Sequence, residues 1–276
     1  VPVGDEVFEA YRGLYTYDRG PLDAKVEAVD DASPHWRKET VSFAAAYGGE
    51  RMKALLFLPR DAAPPYQTVL WFPGDDVFAV PTSTTLASEY LFDFVPRGGR
   101  ALVYPIYKGM YERRVPFSHA PAERRDMMLL WYKDVARTLD YLETRDDIDI
   151  DRVAYYGVST AFYGTVFTVV DSRFAASIML SAGIPAKGKL LPEMDPVNFA
   201  PRSRVPTLMI NGRDDFVFPV ERCQKPLFRL LGTPEADKRH VLLEGGHLPP
   251  DRKAIIREVL DWLDRYLGPV ESRASG

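Results

Sequence analysis

The spacing of apolar and polar positions changes several times along the chain, and each change predicts an element. Between residues 5 and 15, Val7, Phe8, Tyr11, Leu14 and Tyr15 fall at helical spacing, with Asp5 as a start signal. Residues 25–29 alternate like a half-exposed strand. Two β-like runs, 39–45 and 52–58, flank Tyr47-Gly48-Gly49-Glu50, and Gly-Gly between such runs signals a hairpin. After Pro59 the pattern shifts. Residues 68–72 are continuously apolar, as in a strand covered on both faces. A helix is predicted over 84–95 and a strand over 101–104. A long helix follows over 120–145, with Met128, Trp131, Val135, Leu139 and Leu142 on one stripe. Further strands are predicted over 152–156, 174–180, 207–210 and 240–243, and helices over 160–170, 220–231 and 252–267.

Repeated strand–helix alternation predicts an α/β fold: a mostly parallel central sheet with antiparallel N-terminal strands and helices on both faces. No composition break or internal repeat divides it. The expectation is one domain over 1–276, with residues 1–60 supplying the first helix and the antiparallel strands. In such sheets ligands bind beyond the carboxyl ends of the strands, so the residues that follow each strand carry the functional information.

Composition narrows the classes. Among 276 residues, 46% are hydrophobic and the net charge is −4, which excludes a disordered chain and disfavours a nucleic-acid or anionic-membrane partner. The single cysteine, Cys223, cannot form an internal disulfide, and no cluster has metal-ligand spacing, so no metal or cofactor is expected. No run approaches the ~20 apolar residues of a spanning helix, and the first residues show no leader pattern. The expectation is a soluble, cytoplasmic protein with no membrane partner. Proline is abundant, 23 residues without Gly/Ser-rich company, which implies stiff loops.

Three strand ends carry candidate chemistry. In Tyr156-Gly157-Val158-Ser159-Thr160-Ala161 a strand ends near Gly157 and a helix begins near Thr160, which places Ser159 on the turn. This is the first half of a G-x-S-x-G nucleophile elbow with Ala161 at the second glycine; the plain alternative is a serine capping a helix. In Asn211-Gly212-Arg213-Asp214-Asp215, followed by Phe216-Val217-Phe218-Pro219, either aspartate could be an orienting acid. The spacing from Gly212 and the apolar run before Pro219 favour Asp215. The last strand runs through Gly245-Gly246 into His247, the one histidine of four (His35, His119, His240, His247) that follows a core strand through a glycine turn. Together, in the order Ser159, Asp215, His247, they have the composition of a nucleophile–base–acid triad for acyl transfer. A tetrahedral oxyanion needs two N–H donors. The backbone of Thr160 is one candidate, and Asp75, in Phe72-Pro73-Gly74-Asp75-Asp76 after the 68–72 strand, is the other.

With these motifs in place, the chain resembles the α/β-hydrolase superfamily, on its dienelactone-hydrolase, acetyl-xylan-esterase and prolyl-oligopeptidase side. It is similar in particular to bacterial esterase-like domains found fused behind serine/threonine kinases. The resemblance spans nearly the whole chain. It rests on Tyr47-Gly-Gly-Glu-Arg51, Phe72-Pro-Gly74, Tyr104-Pro-Ile-Tyr-Lys-Gly109, Asp195-Pro-Val-Asn-Phe-Ala200, Asn211-Gly-Arg213, Phe218-Pro-Val220 and Gly245-Gly-His247, with Asp5-Glu-Val-Phe8 and Leu14-Tyr-Thr-Tyr-Asp18 at the start. It implies a carboxylic ester hydrolase acting through Ser159, Asp215 and His247. The departure is at the elbow, where a bulky-Gly-Gly pattern is replaced by Thr160-Ala161-Phe162.

Around this candidate site, Tyr107 and Lys108 follow the 101–104 strand and are candidates for substrate contact, as are the aromatic residues Phe162 and Phe216, with Phe218 beside them. The proline-rich stretch 181–201 sits where a short lid would be inserted. The leading expectation is a serine carboxylesterase for small to mid-sized esters. The alternatives are a peptidase or amidase of the prolyl-oligopeptidase kind, an acyltransferase using the same triad, and a catalytically silent partner module.

Overall fold

A computed structural model of the chain describes residues 1–116, 120–185 and 190–270. Nine strands form one sheet: β1 (Lys25–Asp30), β2 (Trp36–Ala44), β3 (Arg51–Pro59), β4 (Tyr66–Phe72), β5 (Ala101–Ile106), β6 (Ile148–Val158), β7 (Phe174–Leu180), β8 (Thr207–Gly212) and β9 (Lys238–Leu243), in the spatial order β1-β2-β3-β5-β4-β6-β7-β8-β9. The first three strands and the β3–β5 pair run antiparallel; every pair from β4–β5 onward is parallel. This is the α/β architecture that the alternation predicts. Gly48-Gly49 turns the β2–β3 hairpin, as its spacing predicts. β1 is exposed along its full length rather than on alternate positions, as the edge strand of the sheet.

The helices are α1 (Asp5–Gly13), α2 (Phe94–Arg97), α3 (Pro121–Glu143), α4 (Gly164–Val170), α5 (Pro196–Phe199), α6 (Lys225–Leu230) and α7 (Arg252–Leu267). Adjacent positions on the central strands point to opposite layers. Phe72 packs on Trp131 of α3 and Phe167 of α4, while Trp71 packs on Phe92, just before α2, and Tyr156 on Phe94 of α2. Both β4 faces are buried, which is why its sequence shows no alternation.

Three predicted helices are shorter or tighter than their apolar spacing suggests. Over 84–95 there is only a 3-10 turn, Glu89–Leu91, followed by α2; Ser88 sits at φ +52 and interrupts any regular helix there. The 160–170 helix begins as a 3-10 turn, Thr160–Tyr163, before α4. The 220–231 helix opens as a π-turn, Val220–Gln224, ahead of α6. The long helix and the C-terminal helix match their predicted spans closely as α3 and α7.

β4 is the switch point of the sheet: the chain leaves it to β5 on one side and later returns to β6 on the other. The crevice that this opens lies beyond Phe72 and Gly157, which are paired in register. No helix among the described residues is long and apolar enough to cross a membrane.

Candidate active site

Ser159 follows β6 on a tight turn with φ +59 and ψ −85, a conformation that L-residues adopt only when their surroundings impose it. Two constraints do so here. The Ser159 N–H donates to the Leu180 carbonyl at 2.8 Å, extending the β6–β7 ladder, and the buried turn Thr160–Tyr163 starts immediately after. The Ser159 side chain makes no helix-capping bond. Its hydroxyl instead lies 2.8 Å from Nε2 of His247.

His247 is brought there by Gly245, whose φ of +113 lets the chain double back after β9. On its other side the imidazole faces Asp215: Nδ1 is 3.1 and 3.0 Å from the two carboxylate oxygens. A carboxylate only accepts hydrogen bonds, so Nδ1 carries the proton and Nε2 is left to accept from the serine hydroxyl. Asp215 is buried, and one oxygen also accepts the N–H groups of Val217 at 2.8 Å and Phe218 at 2.9 Å. Asp214 is exposed, and its N–H bonds to the Gly245 carbonyl. The structure therefore brings Ser159, His247 and Asp215 together in one hydrogen-bonded chain and leaves Asp214 out.

The elbow departs from G-x-S-x-G, and the packing shows how the difference is absorbed. Ala161 is fully buried, and Phe162 packs inward on Tyr163 and Phe218. The close strand–helix approach falls two residues after Phe162, at Gly164, where a Cβ would sit 2.2 Å from the Tyr155 ring. Phe162, expected as a substrate contact, is thus packed in the core under the acid loop.

The two segments that carry the oxyanion candidates are adjacent. Gly74 borders Ser159, since a Cβ on Gly74 would be 3.5 Å from the serine Cβ. The Thr160 hydroxyl donates to the Pro73 carbonyl at 2.8 Å, tying the loop after β4 to the elbow. Asp75 begins a short 3-10 turn right after Gly74, and the Asp76 carboxylate accepts a bond from the Ser88 hydroxyl.

Two further candidates do not reach the site. Tyr107 is completely buried beneath the sheet end, with its hydroxyl donating to the Trp71 carbonyl at 2.9 Å. Burial pushes its phenol well above the ordinary range. Lys108 turns its ammonium to Glu50 at 2.6 Å, while its N–H donates to Asp134 at 2.8 Å. The cause is a buried ion network that a linear reading does not show. Asp134 on α3 accepts from Arg113 and Tyr47, both at 2.7 Å, and burial raises its carboxyl pKa against the pull of Arg113. This network pins the 107–114 loop.

Phe216 stands beside His247, ring centroids 6.5 Å apart. The stretch 190–202 packs away from the site: Phe199 meets Phe8 at 5.4 Å, Tyr15 donates to the Glu193 carbonyl, and Asn198 accepts the Val3 N–H. Residues 186–189 of the expected lid, and His119, lie outside the described residues. Linear reasoning also missed Gln224, whose buried amide donates to the carbonyls of Gly212 at 3.1 Å and Phe218 at 2.7 Å, clasping both ends of the acid loop. No local signal marks it, because the π-turn that aims it is itself not visible in apolar spacing. Among the described residues no group of three or more His, Cys, Asp or Glu is placed to hold a metal ion.

No family model matches the sequence, and a search of curated proteins finds no match. Solved structures do. An acetyl xylan esterase from Paenibacillus sp. R4 is 17% identical with a TM-score of 0.72, covering 95% of this chain and 94% of that one. Acetyl xylan esterase 1 from Thermoanaerobacterium sp. JW/SL YS485 is 13% identical with a TM-score of 0.73, covering 96% and 95%. A putative dipeptidyl aminopeptidase IV from Bacteroides ovatus is 13% identical with a TM-score of 0.67; the match covers 86% of this chain but 36% of that one. The chain has the α/β-hydrolase fold.

Proposed function

We propose that this chain is a serine hydrolase that cleaves carboxylic esters through an acyl-enzyme. The observation that carries the reading is the unbroken hydrogen-bonded chain Ser159–His247–Asp215, with the serine held in a strained elbow beyond the carboxyl ends of the strands. His247 Nε2 takes the hydroxyl proton as Ser159 Oγ bonds to the ester carbonyl carbon. The carbonyl oxygen becomes an oxyanion facing the N–H groups of Thr160 and Asp75. Collapse breaks the acyl–alkoxy bond, and His247 returns the proton to the departing alkoxide. Water then repeats the sequence on the acyl-enzyme, and the serine hydroxyl is regenerated. Asp215 holds the imidazole tautomer and stabilises its cation.

The ester preference is supported by likeness to two acetyl xylan esterases along almost their full lengths, whereas the peptidase is matched over only a third of its chain. The test is a panel of p-nitrophenyl esters run beside p-nitroanilides, with Ser159→Ala as control. Esters should turn over far faster than anilides, and Ser159→Ala should lower kcat/KM by about 10⁴-fold or more. A variant with wild-type rates would remove Ser159 from the chemistry. Anilides cleaved at ester rates would move the activity to amides, and silence toward both would leave a partner module.

A further inference from the structure

The loops that carry the acid and the base expose apolar side chains to solvent as well as charged ones. Phe216 is 82% exposed, Val217 39% and Leu248 42%; the first two follow Asp215 and the third follows His247. The Phe216 ring centre lies 6.5 Å from the imidazole and that of Phe218 5.8 Å. Of the charged neighbours on these loops, Arg213 and Glu244 pair with each other at 2.7 Å, and Asp214 is exposed beside Asp215. An exposed aromatic ring beside a reactive imidazole is apolar surface that a bound ligand would cover.

The chemistry assigns the side of the ligand. On the reading proposed above, the oxyanion faces the loop after β4 and the Thr160 turn. The alkoxy oxygen must lie within hydrogen-bond reach of His247 Nε2 to receive its proton. The first carbons of the alcohol therefore emerge on the imidazole side, beside Phe216. We infer that the alcohol half of the substrate is apolar, an alkyl or aryl alcohol lying on Phe216, rather than a polyol or sugar.

The inference is tested by holding the acyl group constant. Hexyl acetate is compared with 2-propoxyethyl acetate, a chain of equal length carrying one ether oxygen, and with methyl acetate. An acyl series, methyl hexanoate against methyl acetate, is run in parallel. Wild type should favour hexyl over 2-propoxyethyl acetate by about tenfold in kcat/KM. Phe216→Ala, at an exposed position that leaves the core intact, should reduce the hexyl-to-methyl ratio by about tenfold while the acyl-chain ratio holds. Equal rates for the two long acetates overturn the inference, as does a Phe216→Ala effect confined to the acyl series. In either case Ser159-dependent hydrolysis would leave the esterase reading standing. Absence of hydrolysis with every ester would overturn both.

Discussion

Asp214 and Asp215 show how much one position decides. Both follow the same strand, yet Asp215 is buried with three donors on its carboxylate, and Asp214 faces solvent. An aspartate two and three residues ahead of two free N–H groups closes an Asx-type turn, which leaves its second oxygen for the imidazole. Asp215→Asn should therefore cost about 10⁴-fold in kcat, because an amide favours the wrong imidazole tautomer. Asp214→Asn should stay within a few-fold, and steady-state kinetics on one ester would rank them. The spacing of Gly212, Asp215 and Pro219 carried this distinction in the sequence. Tyr107 and Lys108 had no such signal: the partners that draw them away, Trp71 and Glu50, lie more than thirty positions earlier in the chain.

Between elements, the decisive contact is the tie from Thr160 to Pro73. It joins the elbow after β6 to the loop after β4, the two segments that would face the oxyanion in the proposed mechanism. Thr160→Val keeps the shape and removes the donor, so the loop loses its anchor. The expected result is a fall of about tenfold in kcat with KM nearly unchanged, and recovery in Thr160→Ser, which restores the hydroxyl. A larger KM effect, or no rescue by serine, would make Thr160 a packing residue only. The neighbouring helices explain why boundaries were less legible than elements. Apolar periodicity predicts a helix over 160–170 and over 220–231, but it does not distinguish an α-turn from the 3-10 and π-turns with which these two open. Those irregular turns are what aim Ser159 and Gln224.

At the scale of the molecule, stability should depend on pH through His240 on β9. Burial, with help from Lys225, lowers its pKa from 6.5 to about 4, and its Nε2 meets Asn211 at 3.2 Å. Above pH 6.5 the ring is neutral in both folded and unfolded chains, and the molecule keeps its full stability. Between about 6.5 and 4 the unfolded chain takes a proton that the folded chain refuses, so stability falls as pH falls. The loss attributable to this group is on the order of 2 kcal/mol, since its ring is only partly shielded. Urea unfolding of wild type and His240→Gln across this range should show the flatter curve for the variant; parallel curves would exclude His240 as the cause.

The order of strands and helices, the hairpin at Gly48-Gly49 and the three strand ends bearing Ser159, Asp215 and His247 were all determined by the sequence itself. They follow from local rules: side-chain period, turn chemistry, and residues adjacent to a strand end. The tertiary structure alone decided which side chains reach the crevice. Phe162 turned inward because the close strand–helix approach moved to Gly164, and the 107–114 loop was held back by a buried carboxylate on α3. Residues 190–202 were drawn to α1 rather than over the site by Phe8 and Tyr15. Each of these outcomes depends on partners distant in the chain, whose burial and pairing energies are set only when the layers close around the sheet.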